Sequence, residues 1–117
     1  LNTRQIGTYY EDAAVAYLQN EKVEIIDRNV RCGRIGEIDL IGIDRGESYG
    51  ETLVFFEIKY RKDNSHGEPL EAVDIKKQRT IRRCAQWYIA FKNEKRFMRF
   101  DVISICGEKI TWLKNAF

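Results

Sequence analysis

The chain has 117 residues, 44% hydrophobic and 32% charged, with a formal net charge of +2. That length and composition fit a single domain over residues 1–117, with no room for a second and nothing repetitive or low in complexity. No apolar stretch approaches the ~20 residues of a membrane span and the polar N-terminal residues hold no signal-peptide core, so the sequence reads as cytoplasmic.

Asn2 or Thr3 can cap a helix reaching about residue 19, in which Ile6, Tyr10, Ala13, Ala14, Tyr17 and Leu18 recur at helical spacing. Residues 23–31 are rich in β-formers, and residues 32–36, with Gly33 and Gly36, turn the chain into a strand beginning at Glu37. Residues 44–52 read as a hairpin loop and residues 52–60 as the next strand. Asp63, Asn64, Ser65, Gly67 and Pro69 make a polar loop. The run through Ile81, Ala85 and Tyr88 predicts a second helix over residues 74–92. Residues 97–106 alternate as a strand, Gly107 and Glu108 turn, and residues 109–113 form a last short strand. The order αβββαββ predicts an α/β (α+β) fold, a mixed sheet with helices packed against it.

Cys32, Cys84 and Cys106 are odd in number, widely spaced and set in apolar segments, which suits reduced core thiols better than a disulfide framework. With no CxxC and the single His66, a zinc site is not expected.

Chemistry concentrates in the second and third strands. Side chains alternate between strand faces, so Glu37 and Asp39 share a face with Ile41 and Ile43, and Glu57 and Lys59 share one with Leu53 and Phe55. An antiparallel register across the hairpin pairs Ile43 with Leu53, Ile41 with Phe55, Asp39 with Glu57 and Glu37 with Lys59. A one-residue slip would separate the charged cluster. Both strands are apolar on both faces, so they belong at the sheet centre, where crowded acids need a compensating cation or protons. Lys59 supplies one charge against three, and a divalent metal would supply the rest. A structural salt-bridge cluster is the alternative at this point.

Lys76, Lys77, Arg79, Arg82 and Arg83 form a basic run, with Lys59, Arg61 and Lys62 upstream and Arg96 and Arg99 downstream. Beside a carboxylate cluster these read as a phosphate-backbone surface; on the basic residues alone, a solvated helix face is the favoured reading.

Gly7 and Glu11, Asn29 with Arg31 and Cys32, the Gly36 to Leu40 run, Leu53 to Arg61, Gly67 with Pro69, Glu71 to Val73, Lys77 with Gln78, Arg99 to Val102, and the Asn115, Ala116, Phe117 ending together resemble the YraN-like family. That uncharacterised family belongs to the PD-(D/E)xK restriction-endonuclease-like superfamily, near the archaeal Holliday-junction resolvases. The chain departs from the family pattern at Tyr10, where glycine is usual, and at His66, where an aromatic residue is usual.

The resemblance implies a metal-dependent endonuclease in which Asp39, Glu57 and the Ile58 carbonyl bind Mg2+ or Mn2+, with Glu11 completing or adjusting the coordination. Helical spacing of Gly7, Glu11, Ala14 and Leu18 is compatible with a Glu11 that looks towards the sheet. Gln78, in register with Ile81 and Ala85, is expected near the site. Lys59 would orient the attacking water and stabilise the transition state, with Glu37 orienting Lys59. Arg61, Lys62, Lys76, Lys77, Arg79 and Arg83 are the expected nucleic-acid contacts. The expected partner is DNA, branched or duplex, with RNA as a further candidate and a homodimer suited to a symmetric junction. A non-catalytic nucleic-acid-binding module of the same fold and an RNA-cleaving, toxin-like nuclease are the rival functions.

Overall fold

A computed structural model describes residues 2–47, 50–62 and 73–117. The element order is α1 (Thr3–Asn20), β1 (Glu24–Arg31), β2 (Glu37–Glu47), β3 (Gly50–Arg61), α2 (Ile75–Lys92), β4 (Phe97–Cys106) and β5 (Lys109–Leu113). It matches the αβββαββ expectation. The expected polar loop, with His66 and Glu71, lies outside the described residues.

Local chemistry starts and stops the helices. The Asn2 side chain accepts the Gln5 N–H at 2.8 Å while the Gln5 side chain accepts the Asn2 N–H at 2.9 Å, a reciprocal capping box that satisfies two orphan donors. Asp74 caps α2 by accepting the Lys77 N–H at 2.8 Å, and the helix ends at Asn93, whose φ of 52° lies in the left-handed region.

The five strands form one sheet in the order β1-β2-β3-β4-β5. Neighbours pair antiparallel except β3 and β4, which run parallel because α2 carries the chain back across the sheet. Both faces are covered. Ile81, Cys84, Ala85 and Tyr88 of α2 pack on the face bearing Ile41, Ile43, Leu53 and Phe55. Ala14 and Leu18 of α1 pack on Leu40, Val54, Phe56 and Ile103. The central strands are therefore buried on both sides, as their continuous apolar composition requires.

The β2/β3 ladder runs from Leu40 with Phe56 to Glu47 with Gly50 and includes the expected Ile41–Phe55 and Ile43–Leu53 pairs, but not the expected Asp39–Glu57 and Glu37–Lys59 pairs, because beyond Leu40 the Asp39 side chain takes the Ile58 N–H. The hairpin loop is shorter than residues 44–52, because β2 continues to Glu47 and β3 begins at Gly50. Charged residues are held across this extension: Arg45 bridges Glu24 at 2.9 Å and Glu51 at 2.8 Å.

Two expectations are corrected. Cys32 and Cys84 are joined by a disulfide, with Cα atoms 5.5 Å apart, whereas Cys106 is a free thiol. The cysteines are 52 residues apart in sequence, and they meet because α2 packs over the turn that precedes β2. At that turn Gly36 passes so close to α2 that an added Cβ would collide with the Thr80 methyl group. Of the downstream basic pair, Arg99 is also not on a phosphate-facing surface. Arg99 is buried, donating to Asp101 and to Asp44 at 2.8 Å, while Arg96 bonds Glu51 and Glu94. Asp101 further accepts from the Trp112 indole and the Asn115 N–H, so this cluster ties β2, β4, β5 and the C-terminal turn together. Among the described residues, no helix is long and apolar enough to cross a membrane.

Candidate active site

The β2/β3 ladder stops at Leu40 and Phe56, and beyond that point a side chain takes over. Asp39 Oδ2 accepts the Ile58 N–H at 2.8 Å. The neighbouring strand is irregular at the same level. Between the Arg28–Leu40 and Val30–Ile38 pairs, Asn29 adopts φ 51°, a left-handed conformation that asparagine tolerates better than most residues. The sheet thus opens at the ends of β1, β2 and β3, and a cleft of about 570 Å³ forms between these ends and α1.

Asp39 and Glu57 both line this cleft, each within reach of the other's charge. Burial pushes the Glu57 carboxyl up to about 7, aided by the charge of Asp39 and opposed by Lys77 and then Lys59. Burial also raises Asp39, against the Ile58 N–H and Lys77, which favour its ionised form. Glu57 Oε2 is buried with no hydrogen-bond partner among the described residues. Lys77, in the first turn of α2, places Nζ 3.6 Å from Glu57 Oε1. It is thus a residue of the site itself, and sequence reasoning placed it only on a phosphate-binding surface. Its position follows from the Asp74 cap, which fixes the α2 start beside β3.

The other expected residues are distributed as follows. Glu11 and Glu37 line the same cleft, with Arg4 and Asn29. Glu11 is held by Arg28 Nε and Asn29 Nδ2, each at 2.9 Å, and so points into the cleft with its charge already matched. The Arg28 guanidinium, held between Asp12 and Glu11, is shifted upwards by those hydrogen bonds. Glu37 sits across from Arg31 on β1, with 3.9 Å between their charged groups, so its nearest described cation is Arg31 where Lys59 was expected. Lys59 is half-buried on β3 and acts on Glu57 through its charge. The Gln78 amide faces inwards but donates to the Val73 carbonyl at 2.8 Å, bracing the start of α2. Lys62, Lys76, Arg79 and Arg83 are exposed, Arg61 half-exposed. Arg4 and Asn29 were not foreseen as cleft residues. Asn29 had a signal, a lone asparagine amid β-formers at a point where the strand breaks.

The family described as Uncharacterised protein family UPF0102 matches residues 10–105. The chain belongs to the UPF0102 family. It is similar to the UPF0102 protein of Fusobacterium nucleatum, 40% identical over 116 residues, covering 98% of this chain and 92% of that one. The UPF0102 protein of Chlorobium chlorochromatii is 45% identical over 104 residues, 89% and 76% of the two chains. That of Persephonella marina is 42% identical over 112 residues, 95% and 91%. The match to UPF0102 spans α1 to β4 and so includes Glu11, Asp39, Glu57, Lys59 and Lys77.

The donor set in this UPF0102 chain fits a small hard cation. Asp39 and Glu57 offer carboxylate oxygens, the orphaned Glu57 Oε2 is a buried acceptor in want of a partner, and Ile58 lines the cleft beside them. Among the described residues, no three carboxylate, imidazole or thiol groups gather to enclose an ion alone. Mg2+ commonly uses one or two carboxylates and completes its shell with waters and substrate phosphate oxygens, which suits an open site.

Proposed function

We propose that this protein is a divalent-cation-dependent phosphodiester hydrolase acting on nucleic acid, DNA foremost. The observation that carries this reading is half-buried Asp39 beside buried Glu57, one of whose oxygens has no partner among the described residues, in a cleft lined by Arg4 and flanked by Lys77. A half-buried and a buried carboxylate set side by side are costly to the fold, and a site that takes a cation relieves that cost. The resemblance to the PD-(D/E)xK superfamily supports the same assignment, with Mg2+ or Mn2+ as cofactor.

Asp39 and Glu57, with the Ile58 carbonyl, would hold the cation. When bound, it would polarise the phosphoryl group and lower the pKa of a water. The Ile58 N–H fixes Asp39 in orientation, and so keeps one donor from turning away. Lys77 partly offsets the pair's charge and gives the phosphate a cationic neighbour at the α2 end of the site. Lys59 adds positive potential at Glu57, a role that would stabilise charge developing on the phosphate. Arg4 at the cleft, with exposed Lys76, Arg79 and Arg83 on α2, would steer the backbone.

A second reading is a binding module that does not cleave. It is favoured by Glu11, whose carboxylate is committed to Arg28 and Asn29. The test is a gel assay with Mn2+ or Mg2+ on four-way junction, flap, linear duplex, single-stranded DNA and transfer RNA. Asp39→Asn and Lys59→Ala run alongside, with calorimetric titration of Mn2+. Cleavage and Mn2+ binding that both fail in Asp39→Asn support the hydrolase. Salt-sensitive binding with neither cleavage nor Mn2+ uptake selects the module.

A further inference from the structure

Next to the carboxylate cleft, α1 and the end of β3 carry an aromatic surface in which Tyr10 is half-buried against the core and Tyr9 and Tyr60 are exposed. Ile6, Tyr9 and Tyr10 lie on one face of α1, three and four residues apart. Two turns on, the equivalent stripe is fully buried as Ala14 and Leu18, but Tyr9 is 64% exposed and Tyr60 37%. The rings are organised. Tyr10 and Tyr60 stack with centroids 4.3 Å apart and planes 17° from parallel, and Tyr9 stands at 85° to Tyr10 with centroids 5.2 Å apart. Together they make the floor and wall of a groove of about 490 Å³, which continues to Arg61 and Lys62. That volume is in the range of small-molecule sites.

Tyr60 also lines the carboxylate cleft, so groove and cleft share a wall. Between them α1 presents Gly7, with no side chain to separate the two; even an added Cβ would reach only to 3.7 Å from Tyr60 Oη.

We infer that Tyr9, Tyr10 and Tyr60 form a stacking platform for an unpaired base, which sets the adjoining phosphate over the Asp39–Glu57 cleft. The delivery half of this inference rests on the proposed hydrolase; the platform half does not. An aromatic corner offers a π-face to any base, and a base can reach it only where it is out of a duplex stack. The charge pattern agrees. Arg61 and Lys62 border the groove where the strand's phosphates would run, and no carboxylate lines it among the described residues. A hydrophobic peptide would find the apolar floor but would gain nothing from that basic border. The substrate class is therefore nucleic acid with a single-stranded segment, such as an overhang, flap or gap, in preference to continuous duplex.

The test is fluorescence anisotropy in EDTA at low salt, with a labelled oligothymidylate and a strand of equal length built from abasic residues, so that the phosphates are matched and only the bases differ. The wild-type protein should bind the thymidylate about tenfold more tightly. Tyr9→Ala should remove most of that preference and Tyr9→Trp should restore it. Tyr9 is exposed, so circular dichroism should report an unchanged fold for both. Equal affinity for the two strands, failure to bind either, or a full preference in Tyr9→Ala would overturn the platform. A parallel Mn2+ cleavage assay on overhang and blunt duplexes separates the two readings. Base-dependent binding without cleavage removes the hydrolase and leaves the platform, whereas cleavage without base dependence removes the platform alone.

Discussion

Asp39 accepts the Ile58 N–H at 2.8 Å just past the last backbone pair between their strands. The same carboxylate therefore closes the sheet and faces Glu57. Its two roles separate by substitution. Asp39→Asn keeps an acceptor for Ile58 and removes a repulsive charge, so the metal-free protein should be as stable as wild type or more so. Asp39→Ala leaves the N–H without its partner and should cost about 1–3 kcal/mol. Urea denaturation distinguishes them. A marked loss of metal-free stability in Asp39→Asn would favour a structural ion cluster over a cation site.

Glu57 makes stability depend on pH. Its folded value of about 7 lies above the ordinary 4.5, so between those values the folded protein keeps a proton that the unfolded chain has released. The contribution is complete below about pH 4.5 and is lost as pH rises through about 7. Glu57→Gln should remove this decline and, near pH 8, be the more stable protein, by at most about 3 kcal/mol. Melting temperatures of both proteins from about pH 4.5 to 8.5 in EDTA would show it. Parallel curves would refute the assignment.

Arg99 and Arg96 stand three residues apart and should differ greatly. Arg99 is buried between Asp44 and Asp101, and removing it takes the buried guanidinium from both carboxylates, leaving Asp44 with the half-exposed Lys114 and Asp101 with neutral donors. Arg99→Ala should cost about 3–5 kcal/mol. Arg96 pairs with Glu51 and Glu94 at the surface, where Arg96→Ala should cost no more than about 1 kcal/mol. Equal costs in chemical denaturation would mean that burial is not what sets the worth of these pairs.

The Cys32–Cys84 bond joins the turn before β2 to the middle of α2 across 52 residues. Reduction, or paired replacement by alanine, should lower stability by about 2–4 kcal/mol, chiefly by freeing the unfolded chain. Thermal melts with and without reductant report this. No change would mean that packing alone holds α2 in place.

Much of this fold was legible because its causes are local. The Asn2 and Asp74 caps, the helical spacing of Ala14 with Leu18 and of Ile81 with Ala85, and strand alternation depend on residues a few positions apart. The β2/β3 register was legible too, since a slip would turn Ile41 and Phe55 away from the core. Alternation also put Asp39 and Glu57 at the same end of neighbouring strands.

The sequence by itself therefore determined the order of elements, the apolar faces and the register of the two central strands as far as Leu40 and Phe56. Only the tertiary structure decided which distant groups meet them: Lys77 at Glu57, Arg28 and Asn29 at Glu11, Arg99 between Asp44 and Asp101, Cys84 at Cys32, and Tyr60 against Tyr10. Those meetings depend on how α1 and α2 pack on opposite faces of a sheet whose β3 and β4 run parallel. That packing is set by burial of apolar surface, which is non-directional and leaves no mark of its polar pairings in the spacing of residues.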